Sequence, residues 1–348
     1  MLPGGTYNVN YDEDIAIIRT RLQWGLTVGG LILLFTFPLY VPTSLVAFGL
    51  TTGIAVISVL GLQILTGYCG QISVGQAALM AVGAQTAAVL GTRLGVPFLP
   101  AILCAALMSG LIGLVFGLPS LKVKGFYLLM VTLAGHYIII WTIWHLPALT
   151  GGPHGMVIPY PILGNIELAT NRELYYLIMA FMVAAIFLAK NIARTKAGRA
   201  FVAVRDNDIA AEGLGISIYW YKLLAFFICS CFAGVAGALY GYYSHWVGTE
   251  LFPLTDAIWY LGMIIVGGMG SITGAVVGAL FIKGLEYLII VAGPMLAATF
   301  PTIADQTFAV AQMALALVII LFLVLEPRGI YHRWEVFKTY YRLWPLPY

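Results

Sequence analysis

Runs of mainly apolar residues recur along this chain, at 24–41, 44–66, 74–91, 98–118, 126–146, 173–189, 223–243 and 306–325. Each is close to the 20 or so residues with which an α-helix crosses the hydrocarbon core of a bilayer. In lipid a segment must satisfy its own backbone hydrogen bonds, so each run is predicted to be a transmembrane helix. A ninth apolar region, 256–292, is interrupted by Gly267, Gly268, Gly270 and Gly274. It reads as one crossing, as a short pair of crossings, or as a re-entrant segment.

The basic residues discriminate between these readings. Counted as a pair, the region gives about ten crossings with both termini on one side, and fourteen of the seventeen Lys and Arg fall on that side. They are Arg19, Arg21, Lys122, Lys124, Lys190, Arg194, Lys196, Arg199, Arg205, Lys222, Arg328, Arg333, Lys338 and Arg342. Only Arg93 and Arg172 fall opposite, and the excess of Lys and Arg marks the cytoplasmic side. The expected fold is an all-α integral membrane protein, a polytopic bundle of about ten transmembrane helices with broken or re-entrant segments. The 191–222 loop and both termini are expected to be cytoplasmic, and the loop at 147–172 external.

Composition agrees. Apolar residues make up 61% of the 348 positions and charged residues 9%, against roughly 45–50% and about 25% in soluble domains. The longest polar stretch, 191–222, is too short to bury a core of its own, so 1–348 reads as a single membrane domain. The first 23 residues are polar and no cleavage-site pattern follows the first apolar run, which is expected to stay as a span. Cys69, Cys104, Cys229 and Cys231 form no C-x-x-C and read as small buried apolar residues. Glycines spaced by four, at Gly113 and Gly117, Gly237 and Gly241, and Gly270, Gly274 and Gly278, let helix backbones approach closely in lipid.

Candidate chemistry is sparse. No nucleophile elbow, zinc-protease or phosphate-loop motif is present, and His136, His145, His154, His245 and His332 are too scattered to hold a metal. No catalytic residue, metal, cofactor or nucleic-acid partner is predicted. Of fourteen Asp and Glu, only Glu286 lies clearly inside a span, three residues after Lys283, with which it reads as an ion pair on one helix face. Proton coupling has few groups to work with.

Glycine-rich breaks are what the chain does offer. TGYCGQISVGQ (66–76) places a turn before Ser73, which can cap a new helix at 74–91. A helix N-terminus at membrane depth can receive an anion, with Gln71, Ser73 and Gln76 adding side-chain bonds; a tight turn that satisfies only its own backbone is the other reading. TGGPHG (150–155), with Thr150, Gly151 and Gly152, opens the long external loop and either lines a mouth or simply turns. GGMGSITG (267–274) reads either as a turn or as part of a pore. In 191–222, a short amphipathic helix after Gly198 precedes a second one, capped by Asp206 or Asn207, running through Glu212 and ended by Gly213 or Gly215. Such a knob, with apolar Ile209, Ala210, Ala211 and Leu214, suits docking to another protein.

Four segments in order, GYCGQISVGQAAL (67–79), TGGPHGM (150–156), RTKAGRAFVAVRDNDIAAEGLGISIYWYKLLAF (194–226) and GGMGSITGAVVGA (267–279), resemble the permease subunits of ATP-binding-cassette importers for branched-chain amino acids. The ending LEPRGIYHRWEVFK (325–338) is similar to the M-type subunit. The resemblance spans nearly the whole chain. It implies a translocation path in the bacterial inner membrane, paired with a homologous H-type permease, two ATPase subunits and a periplasmic binding protein. By position it implies ATPase coupling through Arg205, Asn207, Asp208, Ala210, Ala211, Glu212 and Gly215; the polar helix breaks, read by themselves, place the substrate path along Tyr68, Gln71, Ser73, Gln76, Thr150, Gly151 and Gly152. Gln76 departs from the His of many relatives, which leaves urea, short amides or aromatic acids as alternative substrates. A lone ion-coupled carrier and an intramembrane enzyme are the competing classes.

Overall fold

The computed structural model describes residues 21–123, 125–163, 166–299, 307–326 and 328–343. The polar N-terminal residues with Arg19, and Lys124, lie outside them, as do positions 164–165 of the loop expected to be external.

The chain is helical almost throughout. Helix α1 (Arg21–Tyr40) is followed by α2 (Thr43–Leu62), which continues as a π-helical turn, Gln63–Tyr68. Then come α3 (Gln76–Arg93), α4 (Phe98–Gly117), α5 (Phe126–His145) and α6 (Asn171–Arg194). Two short helices, α7 (Lys196–Asp206) and α8 (Asp208–Gly213), lead into the long α9 (Ile218–Ser244). The remainder is α10 (Leu254–Gly267), α11 (Ile272–Thr299), α12 (Thr307–Leu325) and α13 (Gly329–Leu343).

Seven helices among the described residues are long and apolar enough to cross a membrane: Thr43–Tyr68, Phe98–Leu121, Phe126–His145, Asn171–Arg194, Ile218–Ser244, Thr249–Gly267 and Ile272–Val291. The protein is thus an all-α, multi-pass membrane protein, but seven helices rather than about ten meet that measure. Gln76, Gln85 and Arg93 dilute the apolar content of α3, and the apolar part of α1, Trp24–Tyr40, is short. The glycine-broken 256–292 region is two helices. They pack as a hairpin, for a Cβ on Gly274 would stand 2.8 Å from the Gly267 carbonyl oxygen and one on Gly278 would overlap that of Met263.

Helix α9 is the hub on which α2, α3 and α4 all pack. Its small residues permit this: a Cβ on Gly237 would collide with the Met80 carbonyl, and Gly83 of α3 meets Gly234 backbone to backbone. Dispersion between close backbones replaces the hydrophobic drive that lipid does not supply. The outward faces carry exposed Leu103, Leu107, Leu111 and Val115 on α4 and Trp141 and Ile138 on α5, as lipid contact requires. Cys69 and Cys229 are buried as expected, but Cys104 is exposed on that α4 face and Cys231 is partly exposed; all four are free thiols. Hydropathy alone does not separate a lipid-facing cysteine from a buried one.

Candidate functional site

The first break starts inside α2. The π-helical turn Gln63–Tyr68 ends where Cys69 donates to Ile64 O at 3.1 Å, and Gly70 then takes φ +72, a conformation that disfavours any side chain. Residues 69–75 run back beside α2 without helical form. Helix α3 begins at Gln76, not at 74, because Gly75 is its N-cap and Ser73 Oγ is occupied in accepting from Gly75 N at 3.3 Å. Val74 N donates to Thr132 Oγ1 of α5 at 3.1 Å.

The side chains of this break have different fates. Gln76 is fully buried; its Nε2 donates to Ser58 O (2.8 Å) and Ser58 Oγ (3.1 Å), and its Oε1 accepts from Cys229 Sγ (3.2 Å). It therefore ties α2, α3 and α9 together. Ser73 is buried against a small void bounded by Thr132 and His136. Gln71 is buried, with Oε1 lacking a hydrogen-bond partner. Tyr68 lines a cavity of about 550 Å³ with Gly268, Ser271, Arg328 and His332.

The third break lies directly against the first. Gln63 Nε2 donates to Gly268 O at 3.2 Å and to Ser271 O at 3.1 Å. The 191–222 segment joins them at the same end, since Arg205 Nη1 donates to Gly67 O at 2.8 Å while its Nε bonds Asp206 Oδ1 at 2.9 Å. Its side chain lies in a slot without Cβ atoms: one on Gly70 would come 2.8 Å from Arg205 Cγ, and one on Gly270 3.1 Å from Nη1. Three elements remote in sequence thus meet at one end of the bundle.

From that anchor the knob projects outward. Helix α7 starts at Lys196, earlier than the glycine at 198 suggests, and buries Ala200, Phe201 and Val204. Asn207 caps α8 through a 3.0 Å bond from Ala210 N. The end is a Schellman motif: Gly215, φ +82, donates to Glu212 O (2.9 Å), and Ile216 N donates to Ala211 O (3.0 Å). Ala211 is buried, whereas Ala210, Glu212 and Gly215 are exposed. Ile209 and Leu214 are 79% and 82% exposed, an apolar pair that water would not select.

The TGGPHG break occupies the opposite end. Thr150 Oγ1 donates to Ile143 O (2.6 Å) and Leu146 O (2.8 Å), and Gly152 N donates back to Thr150 Oγ1 at 3.2 Å. Gln85 Nε2 of α3 donates to Thr150 O. Gly151 and Gly152 have φ +75 and +59. The chain then pairs Met156–Val157 antiparallel with Trp246–Val247, and Trp246 Nε1 donates to His154 O at 3.0 Å. The polar groups of Thr150 thus close a turn, so this segment is bound to α3 and to the end of α9. Burial beside this strand pair holds the His245 imidazole below its ordinary pKa.

Lys283 and Glu286 form the expected pair, Nζ to Oε2 at 2.7 Å. The sequence missed a second membrane carboxylate: Asp256 lies in the first turn of α10, inside the spanning helix Thr249–Gly267. Pro253 at the N-cap is the signal that could have found it, for it starts the helix before the Asp rather than after it.

Spanning helices broken at glycines and tied at one end to an ordered, exposed knob define a multi-pass membrane protein. The chain belongs to the branched-chain amino acid transport system / permease component family, whose model matches residues 44–325. It is 31% identical over 276 residues to the high-affinity branched-chain amino acid transport system permease protein LivM of Escherichia coli (strain K12), covering 72% of this chain and 65% of that protein. The LivM protein of Salmonella typhimurium is 30% identical with the same coverage. A shorter match, 32% identical over 114 residues, covers 31% of this chain and 33% of the autoinducer 2 import system permease protein LsrC of Escherichia coli O9:H4. The chain thus spans 65% of the length of the LivM relatives it matches. No solved structure matches the chain.

Proposed function

We propose that the chain is a pore-forming subunit of an ATP-driven importer of branched-chain or related amino acids. It pairs with a homologous H-type permease in the bacterial inner membrane, receives substrate from a periplasmic binding protein, and is powered by two ATPase subunits, itself hydrolysing nothing. The seven long apolar helices are joined as crossings by Arg21–Tyr40, Gln76–Arg93 and Thr307–Leu325. Ten crossings put the 191–222 loop and both termini in the cytoplasm, in keeping with the positive charge there.

One observation carries this reading: α8 is capped, sharply terminated and exposed, while the residue three positions before it, Arg205, is bonded to the membrane helix at Gly67. A solvated connector has no use for exposed Ile209 and Leu214, but an ATPase groove does. Force applied to α8 through Asn207, Asp208, Ala210, Ala211, Glu212 and Gly215 is passed by Arg205 to the break at Tyr68, Gln71, Ser73 and Gln76. In the break, Gln71 has the unpartnered oxygen and Tyr68 faces a cavity; Ser73 and Gln76 set its shape. The turn at Thr150, Gly151 and Gly152 forms the periplasmic rim.

The test is reconstitution of the chain with its H-type partner, both ATPases and the binding protein in proteoliposomes. Uptake of leucine, isoleucine or valine should require ATP inside the cytoplasmic compartment and loaded binding protein outside. Uptake by this chain alone under an ion gradient would overturn the reading in favour of a carrier, and uptake of urea or an amide in place of amino acids would replace the substrate class.

A further inference from the structure

Between α9, α10, α11 and α12 lies a cavity of about 340 Å³ that none of the sequence motifs touches. Its wall includes Tyr240, Asp256, Trp259, Lys283, Glu286 and Gln312. Tyr240 is near the last turn of α9 and Asp256 is in the first turn of α10, so the cavity lies toward the Trp246 end of the bundle. Lys283 and Glu286 bond each other at 2.7 Å, with side chains 22% and 42% exposed. Asp256 lies within electrostatic reach of both.

A charged side chain at membrane depth is costly to insert, and groups of this kind face water-filled paths or partner proteins rather than lipid. A structural pair would need only one acid for one base. Here two carboxylates accompany one ammonium, leaving a net charge of −1 beside aromatic rings. Lys283 Nζ has three donors, one of which goes to Glu286 Oε2. A simple anion is repelled by the net negative charge, and a simple cation answers the carboxylates but leaves the remaining Lys283 donors unmet. A ligand with its own carboxylate and ammonium a few ångströms apart meets both.

We infer that this cavity is an intramembrane way-station for an α-amino acid. Lys283 takes the substrate carboxylate, Asp256 takes its ammonium group, and Trp259 and Tyr240 cover the apolar side chain. The inference rests on the importer reading and names where in the subunit its substrate is held. Its volume is of the size that small-ligand pockets have. The Lys283–Glu286 bond holds the ammonium in place between passages, which keeps the site weak enough to release.

The test uses the complete importer in proteoliposomes, with cysteine only at position 290 (Ile290→Cys), on the cavity wall. Leucine at millimolar concentration should slow alkylation of that cysteine severalfold. 4-Methylpentanoate, which lacks the ammonium, and isopentylamine, which lacks the carboxylate, should not. Asp256→Asn should abolish the protection and lower leucine uptake at least tenfold, while ATP hydrolysis stimulated by loaded binding protein stays within about twofold. The paired replacement Lys283→Met with Glu286→Gln, which removes the ion pair as a unit and leaves Asp256 as the cavity's one charged side chain, should do the same. Protection that is absent in the parent, equal for all three compounds, or unchanged in both variants overturns the site. In all three cases leucine uptake by the parent still tests the importer reading separately.

Discussion

Arg205 is the point at which the knob and the membrane helices are mechanically joined, so Arg205→Ala is the most informative single change. It removes the 2.8 Å bond to Gly67 O and leaves an empty slot over Gly70 and Gly270. A hydrogen bond from a charged donor contributes about 1.5–3 kcal/mol when buried, and an exposed ionic contact contributes about 0–1 kcal/mol. The Arg205 side chain is 36% exposed, which places the loss near 1 kcal/mol by that interpolation. At 1.36 kcal/mol per factor of ten, this is a roughly fivefold change in an equilibrium or a rate. If the bond transmits closure of the ATPases, molecules imported per ATP hydrolysed should fall by about that factor. Basal hydrolysis and assembly with the ATPases should be retained, because α8 and its cap are untouched. Arg205→Lys should be intermediate, since an ammonium reaches the carbonyl but lacks the planar fork that also engages Asp206. The assay is parallel measurement of leucine uptake and phosphate release in the same proteoliposomes. An unchanged coupling ratio in Arg205→Ala, with normal hydrolysis, would refute the transmission role of this bond.

Gly215→Val forces a β-branched residue into φ +82 at a cost of roughly 1–2 kcal/mol and breaks the Schellman end of α8. It should abolish uptake while membrane abundance, read by immunoblot, is kept, and Glu212→Lys should do likewise; wild-type uptake by both would remove α8 from the coupling interface. Ser73→Ala and Gln76→Leu should each lower initial uptake while stimulated ATP hydrolysis survives. Gln76→Leu should also reduce thermal stability in detergent by about 1 kcal/mol, from the two interhelical bonds to Ser58; normal transport by both variants would make the break a turn and nothing more. In a background lacking the four native cysteines, Thr195→Cys should resist an impermeant thiol reagent applied to intact cells and Glu167→Cys should react, both positions being exposed; the reverse pattern would invert the topology.

The positions of the membrane helices were legible in the sequence because the bilayer fixes their length and bars charge. That rule placed α2, α4, α5, α6 and α9 within a few residues of where they lie. The ends of the knob were legible for a local reason: Asn207 and Gly215 act through bonds to residues three or four positions away. The positive charge balance likewise favoured two helices in 256–292, and α10 and α11 are two helices. What only the tertiary structure decided involves groups far apart in the chain. Gln76 is polar and follows a break, but the partners of its amide, Ser58 and Cys229, were settled by packing. Arg205 and Gly67 are 138 residues apart, and no local pattern pairs a cation with one particular helix-end carbonyl. Asp256, Lys283 and Tyr240 come from three helices and share one cavity, and the glycines at 267, 274 and 278 bring the two helices that carry Asp256 and Lys283 close together. Hydropathy records the solvent each segment must face, whereas the partner of a polar atom depends on which helix faces arrive beside it, and that is settled by the close fit of the bundle.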